Sequence, residues 1–283
     1  MKISKLNPYS FQNLRPIIEA RMAEEANRRL IIYPDGDMVQ RHLSVGSDFC
    51  RAVVKSGYLT QEQMNHAALR YHLGMSRDGG VIFWQMDHFN HIYDGKIMYY
   101  RPDCHRDHQH CPSWVSSELK KFYLANAPDL AAELQFTHCL FGTHLLREGE
   151  GSVVVVESEK TAVIMSEIYT NYLWLAAGGM NELSAIKLFP LRGRKIILMP
   201  DTDEHHQAYS NWYKICQEAQ RLLGHPIYLS PLLEQKASPS QKSRKIDILD
   251  YYYETPYHYD RRITKKTYSR HYGSQTAAQQ KTL

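Results

Sequence analysis

Short apolar segments alternating with helical patterns dominate the second half of the chain. Four of these segments have the length and composition of buried strands: 152–157, 172–179, 194–201 and 225–232. Three intervening segments have helical patterns: 159–169, 180–189 and 207–224. Strands that are apolar on both faces, each followed by a helix, are typical of a parallel sheet covered by helices. The pattern therefore predicts a small α/β domain over residues 148–235.

Upstream of residue 148 the pattern is less regular and indicates an α+β subdomain. Residues 60–74 and 112–126 are predicted helices, and residues 80–87 and 95–102 are predicted strands joined by a loop. We expect three parts: an N-terminal subdomain over 1–147, the α/β domain over 148–235, and a C-terminal tail over 236–283.

Composition narrows the class of protein. With 283 residues and 43% hydrophobic content, the chain is large enough to bury a sizeable core. No segment approaches the roughly 20 apolar residues of a membrane span, and the first residues lack a secretory signal, so we expect a cytoplasmic protein that does not bind membranes. The five cysteines form no C-x-x-C pair, which argues against a disulfide framework and a zinc ribbon. "CHRDHQHC" at 104–111 is interpreted as a polar loop rather than a zinc site.

Charge is distributed unevenly along the chain. From residue 236 onward there are ten Lys/Arg and four Asp/Glu, a balance of +6, so the rest of the chain carries −2 of the net +4. Tyrosines alternate with these cations, a composition that suits binding of phosphates and stacking on bases. A solvated terminus has the same composition.

Acidic side chains follow two of the predicted strands. Glu157 ends the first strand, and Asp201 and Asp203 follow the third. Carboxyl ends of parallel strands meet at one edge of a sheet, so these three acids are expected to converge, although Glu157 and Asp201 are 44 residues apart along the chain. Clustered carboxylates repel each other unless a cation joins them, and Mg²⁺ or Mn²⁺ prefers such oxygen ligands. The alternative is that each acid only caps a helix N-terminus.

The acids and their spacing resemble a known family. "VVVVESEK" followed by "IILMPDTD" is similar to the Toprim domain of bacterial DNA primases, topoisomerases and some nucleases. The resemblance implies that Glu157, Asp201 and Asp203 are catalytic and bind Mg²⁺. Gly178 and Gly179 match the small-residue turn after the second strand, and they are candidates for nucleotide or phosphate binding.

The resemblance extends upstream of the predicted α/β domain. "YHLG", "GVIFWQMDHFNHIYDGKIMYY" and "CLFGTHLL" resemble the subdomain that precedes Toprim in primase-like proteins of bacterial mobile elements. That subdomain has a basic edge, which makes Lys96 and Arg101 candidate nucleic-acid contacts. Lys160 and Thr161 open the first predicted helix, where free N–H groups favour a phosphate.

Two features depart from the family pattern. The chain has no zinc ribbon, and Thr161 stands where the family has a further acid.

The leading hypothesis is a Mg²⁺-dependent primase-like nucleotidyltransferase that acts on single-stranded DNA and nucleotides in the replication of a mobile element. A helicase or a zinc-ribbon-bearing protein is an expected partner.

Three alternatives stay open at this point. A Toprim nuclease would use the same metal ligands to cut phosphodiesters. An inactive DNA-binding accessory module would keep the fold alone. A phosphatase of the haloacid dehalogenase type also begins with a strand followed by Asp-x-Asp.

Overall fold

The computed structural model of the chain describes residues 30–31, 36–128, 134–148 and 151–255. The strands are β1 Leu30–Ile31, β2 Gly74–Met75, β3 Val81–Met86, β4 Ile92–Met98, β5 Ser113–Trp114, β6 Leu134–Gln135, β7 Ser152–Val156, β8 Tyr172–Ala176, β9 Ile196–Leu198 and β10 Tyr228–Leu229. The α-helices are α1 Gly36–His42, α2 Asp48–Lys55, α3 Gln61–Arg70, α4 Val115–Asn126, α5 Glu159–Ile168, α6 Gln207–Leu223, α7 Leu232–Lys236, α8 Pro239–Ser243 and α9 Ile248–Glu254. Thr143–Glu148 and Ile186–Leu191 are 3-10 helices.

An antiparallel sheet with the order β2-β3-β4-β5 forms the upstream half. All six residues of β3 are buried, because both faces of this central strand are covered. Phe83 on one face packs edge-on against Phe141. On the opposite face Ile82 and Trp84 belong to a separate apolar cluster with Val39.

A parallel sheet with the order β10-β9-β7-β8 forms the downstream half, as the strand and helix alternation predicts. Helix α6 ends at Gly224, which adopts a left-handed conformation (φ +75°) that a residue with a side chain adopts only at a cost. The parallel sheet with helices between its strands confirms the α/β fold class.

One prediction in this region is wrong. Residues 180–189 do not form an α-helix, and only the short 3-10 helix Ile186–Leu191 is present there. Pro190 lies inside it and has no backbone N–H to donate, and the preceding Gly178 and Gly179 have positive φ angles. The segment therefore crosses the sheet as turns, with Leu183 and Leu188 buried as anchors.

The two sheets share one hydrophobic core. A single cluster of buried side chains joins Phe49 and Phe83 of the upstream half to Val155 and Trp212 of the downstream half. Leu249 of α9 is fully buried in the same cluster. The predicted three-part division of the chain stays a prediction, and most of the predicted basic tail, residues 256–283, lies outside the described residues. No described helix is both long enough and apolar enough to cross a membrane.

Candidate carboxylate site

The order of the parallel sheet creates a crevice between β7 and β9. These strands pair directly, with Val153 opposite Ile196, although β8 lies between them in sequence. Connections that leave neighbouring strands in opposite directions open a crevice at their carboxyl ends, where ligands of α/β proteins bind. Glu157 follows β7 directly and Asp201 lies three residues after β9, so both acids stand at this crevice.

Glu157 and Asp201 are in contact. The backbone N–H of Asp201 donates a hydrogen bond of 3.3 Å to Glu157 Oε1. Burial raises the pKa of Glu157 to about 7, and the charges of Asp247 and Asp203 add to this effect. Loss of solvation raises the pKa of Asp201 well above its usual range, and the charge of Glu157 raises it further. Without a cation, the two acids therefore resist ionising together.

Asp203 has a different environment. Its Oδ1 accepts a hydrogen bond from the His205 N–H (2.8 Å), and its Oδ2 accepts one from the Ala208 N–H (2.9 Å) at the start of α6. Burial acts to raise the pKa of Asp203, but these backbone donors outweigh it and lower the pKa. Asp203 thus caps a helix, as the alternative interpretation of the sequence proposed, while it remains close enough to raise the pKa of Glu157.

Asp247 is a site residue that the sequence interpretation missed. It begins α9 in a capping box with Asp250, and its Oδ2 accepts a hydrogen bond from Thr161 Oγ1. The N–H of Thr202, between the two aspartates, donates to the carbonyl of Ile246 (3.1 Å), which brings the start of α9 to the crevice. The further acid of the Toprim pattern is absent at position 161, and the carboxylate of Asp247, from a distant segment, lies beside Thr161. The signal in the sequence was the pair of acids in "KIDILD", three residues apart.

Lys160 and Thr161 have internal partners at this edge. Burial acts to lower the pKa of Lys160, but the charges of Asp247 and Asp250 outweigh it and raise the pKa. Thr161 is fully buried. The predicted binding of a phosphate by these two residues stays a prediction.

Gly178 connects the crevice to the antiparallel sheet. Its N–H donates to the carbonyl of Glu157 (2.9 Å), and its own carbonyl accepts from Lys96 Nζ (2.6 Å). Lys96 Nζ also lies 3.1 Å from both carboxylate oxygens of Glu159. Its side chain is only 12% exposed, so this cation is largely buried at the junction of the two sheets. Phosphate binding by Gly178 and Gly179, and nucleic-acid binding by Lys96, stay predictions.

Arg101 lies on the surface and forms an ion pair with Asp103 (2.8 Å), and its predicted contact with nucleic acid stays a prediction.

In the nearby Cys/His loop, Cys104 is buried and Cys111 is exposed, and both are free thiols. Within the described ranges, no three His, Cys, Asp or Glu side chains form a ready metal-binding group.

The donor set nevertheless fits a hard divalent cation. Mg²⁺ in nucleotide enzymes is commonly held by one or two carboxylates together with phosphates and water, so a cage of three protein ligands is not required. Glu157 and Asp201 offer carboxylate oxygens at one strand edge, where the Asp201 N–H donates to Glu157 and the charge of Glu157 raises the pKa of the Asp201 side chain. The shared rise of their pKa values is the mark of a site that a cation would neutralise.

Solved structures similar to this chain include two primase fragments. The primase fragment of the bacteriophage T7 primase-helicase protein is 19% identical, with a TM-score of 0.40 over 72% of this chain and 70% of that one. The RNA polymerase domain of Mycobacterium tuberculosis primase DnaG is 12% identical, with a TM-score of 0.41 over 76% of this chain and 82% of that one. Among functionally curated proteins there is no significant match.

Residues 47–202 match the model of a domain of unknown function, DUF6371. The matched range includes Lys96, Glu157 and Asp201, and it ends before Asp203 and Asp247. Because the match spans more than half of the 283 residues, the chain belongs to the DUF6371 family.

Proposed function

We propose that the chain is a Mg²⁺-dependent, primase-like nucleotidyltransferase that extends a nucleic-acid strand on a single-stranded DNA template, with a Toprim-like metal site. The observation that carries this proposal is the contact of Glu157 and Asp201 at the crevice between β7 and β9. A side chain that only fills a core or caps a helix gains nothing from a second carboxylate beside it. A divalent cation that also binds the phosphates of a nucleotide would neutralise this pair of acids.

The chain's own residues would perform the positioning. Glu157 and Asp201 would hold Mg²⁺ (or Mn²⁺), which supplies charge neutralisation for a triphosphate and its pyrophosphate leaving group. Thr202 fixes the loop between the two aspartates, because its hydroxyl donates to Glu234 (2.9 Å) and its N–H to Ile246. Lys160 offsets part of the negative charge at the crevice.

The phosphatase alternative does not fit the topology. It places Asp-x-Asp after the strand that begins the domain, whereas β7 and β8 of the same sheet precede Asp201 here. Asp201 also lies against a second acid, Glu157, that the phosphatase reaction leaves unexplained.

The test is incorporation of labelled ribonucleotides on single-stranded DNA with Mg²⁺. We expect product from the wild type and a loss of about a hundredfold or more for Asp201→Asn and Glu157→Gln, because each removes a ligand of the cation. Glu118→Gln, which removes an exposed acid on α4, is the matched control and should retain activity.

Three outcomes would contradict the proposal. Equal activity in Asp201→Asn and the wild type would exclude the carboxylate site. Nicking of DNA without nucleotides, in place of synthesis, would indicate the nuclease. Salt-sensitive binding of single strands without any Mg²⁺ dependence or product would indicate the accessory module.

A further inference from the structure

Gln85 interrupts an otherwise apolar inner face of β3. Side chains alternate between the two faces of a strand, so Val81, Phe83 and Gln85 share the face that looks toward the parallel sheet. Val81 and Phe83 lie in the shared core. The next position on this face is an amide rather than a hydrocarbon.

The amide of Gln85 is buried without a partner for its oxygen. The residue is 1% exposed, and Gln85 Oε1 accepts no hydrogen bond from any described residue. A buried carbonyl oxygen that accepts nothing has lost its solvation without replacement, so such atoms in folded proteins call for an explanation. Gln85 Nε2 lies 3.9 Å from the position that a Cβ on Gly178 would take, which places the amide at the junction of the two sheets.

A stacked ring pair lies on the same face of the antiparallel sheet. Gln85 is opposite Asp94 in the register, and Asp94 Oδ2 accepts a hydrogen bond from His138 Nε2 (3.2 Å). His138 stacks on Trp114 with ring centroids 4.0 Å apart and planes 17° apart. Asp94 is itself fixed, because its Oδ1 accepts from the N–H groups of Gly95 and Ser116. The side chain of His138 is 29% exposed, so part of this stack is accessible.

This polar face adjoins the carboxylate site. Lys96 is on the same face as Asp94, two residues along β4, and its Nζ contacts the carbonyl of Gly178. The N–H of Gly178 in turn donates to the carbonyl of Glu157. Gly178 therefore lies between Gln85 and Lys96 on one side and the proposed metal ligand Glu157 on the other.

We propose that Gln85, with the His138 and Trp114 stack beside it, forms the base subsite for a nucleoside triphosphate whose phosphates extend to Glu157 and Asp201. The proposal rests on the proposed function and adds the recognition of the base to it. A side-chain amide pairs with a base edge that presents an N–H donor beside an acceptor, and the donor would satisfy Gln85 Oε1. Aromatic rings beside such a group stack on the base itself.

The experiment compares the binding of ATP, GTP, CTP and UTP with that of inorganic tripolyphosphate, which lacks a base, to the full chain with Mg²⁺. We expect at least one nucleotide to bind more tightly than tripolyphosphate. Gln85→Met keeps the length of the side chain and removes both hydrogen-bonding groups. This substitution should weaken the binding of that nucleotide about tenfold and leave the binding of tripolyphosphate unchanged.

A stability measurement separates recognition from a structural role. Since Gln85 Oε1 has no partner in the described protein, Gln85→Met should melt no lower than the wild type. The matched control is Gln220→Met, because Gln220 Nε2 donates to the carbonyl of Ile227 (2.8 Å) at the far end of α6. This control should melt lower and keep the nucleotide affinity of the wild type.

Several results would overturn the subsite. Nucleotides that bind no tighter than tripolyphosphate would do so, as would a Gln85→Met protein that loses both ligands equally or melts well below the wild type. If neither ligand binds the wild type, the subsite and the proposed function both fail. A base contribution that depends on Gln85, in a protein that makes no labelled product, supports the subsite and overturns the proposed function alone.

Discussion

Gly178 occupies a position where a side chain would be crowded. Its φ angle is +95°, and a Cβ built on it would lie 3.2 Å from Glu159 Oε1. Through its N–H and carbonyl this residue joins Glu157 to Lys96. The resemblance to Toprim marked Gly178 as part of a turn, and the structure gives the physical reason for glycine there.

Replacement of Gly178 by alanine should destabilise the protein more than the same change at Gly193. Gly193 also has a positive φ angle (+81°), but a Cβ there would meet no atom within 4 Å. Both changes bear the cost of a positive φ angle, roughly 1–2 kcal/mol, and Gly178→Ala must in addition displace Glu159. Urea denaturation measures both, and an equal loss of unfolding free energy in the two variants would refute the crowding at Gly178.

His144 makes stability depend on pH. Burial lowers its pKa to about 4, although the hydrogen bond from its Nε2 to the carbonyl of Arg70 (3.1 Å) opposes this effect. The unfolded chain then binds more protons than the folded protein between pH 4 and 6.5. The contribution of neutral His144 is complete above pH 6.5 and falls by roughly 3 kcal/mol as the pH is lowered through 4.

The measurement is chemical denaturation from pH 4 to 8. His144→Gln should show a smaller loss of stability at acidic pH than the wild type does. The exposed His108 provides the control, and His108→Gln should follow the wild-type curve. A His144→Gln curve that is parallel to that of the wild type would contradict this assignment.

At the scale of elements, the ion pair of Lys96 and Glu159 joins β4 to α5. Glu159 is only 3% exposed, so Lys96→Met should leave a buried charge without its partner and lower the unfolding free energy by about 3–5 kcal/mol. The double variant Lys96→Met/Glu159→Gln should recover part of this loss. Lys121→Met breaks an exposed pair with Glu118 and should change stability by less than about 1 kcal/mol. Losses of the same size in the two single variants would rule out a special role for the buried pair.

Elements whose pattern is local were predictable from the sequence. The apolar segments at β7 to β10 and the long amphipathic helix α6 follow from the spacing of their own side chains. Residues 180–189 were not, because Leu183 and Leu188, which are five residues apart and would face different sides of an α-helix, are both buried by turns against the sheet. Tertiary packing overrides local propensity in such a segment.

Some residues of the candidate site were likewise predictable from the sequence, and others were not. Glu157 follows β7 directly and Asp201 lies three residues after β9, so the order of the sheet determines their position. Asp247 comes 46 residues after Asp201, in a segment interpreted as a tail, and tertiary contacts of Ile246 with Thr202 and of Asp247 with Thr161 bring it to the crevice. Gln85 had a signal, a polar residue within an apolar strand, but its environment depends on which face meets the second sheet.

At the scale of the whole molecule, α9 closes the carboxylate site and completes the core. Ile248 and Leu249 are buried in the core that both sheets share, and the Tyr253 hydroxyl contacts the carbonyl of Tyr58 beyond α2 (2.5 Å). Asp247, the first residue before this helix, raises the pKa of Glu157 and of Asp201. The C-terminal segment thus contributes to stability and to the charge of the site through different residues.

Two substitutions in this segment should separate those contributions. Leu249→Ala removes a fully buried side chain and should lower the unfolding free energy by about 2–5 kcal/mol, while the added stability that Mg²⁺ confers stays the same. Asp247→Asn keeps a good N-cap residue and removes a charge that repels Glu157 and Asp201. It should bind Mg²⁺ more weakly than the wild type.

Thermal denaturation over a series of Mg²⁺ concentrations measures both effects, because a ligand that binds only the folded state stabilises it by mass action. An affinity reduced about tenfold in Asp247→Asn lowers the stabilisation at high Mg²⁺ by about 1.4 kcal/mol. Asp201→Asn should lose most of the Mg²⁺ response. If Mg²⁺ stabilises Asp247→Asn as strongly as the wild type, Asp247 acts only as a helix cap. If Mg²⁺ stabilises neither the wild type nor Asp247→Asn, the carboxylates at the crevice do not bind the cation that the proposed function requires.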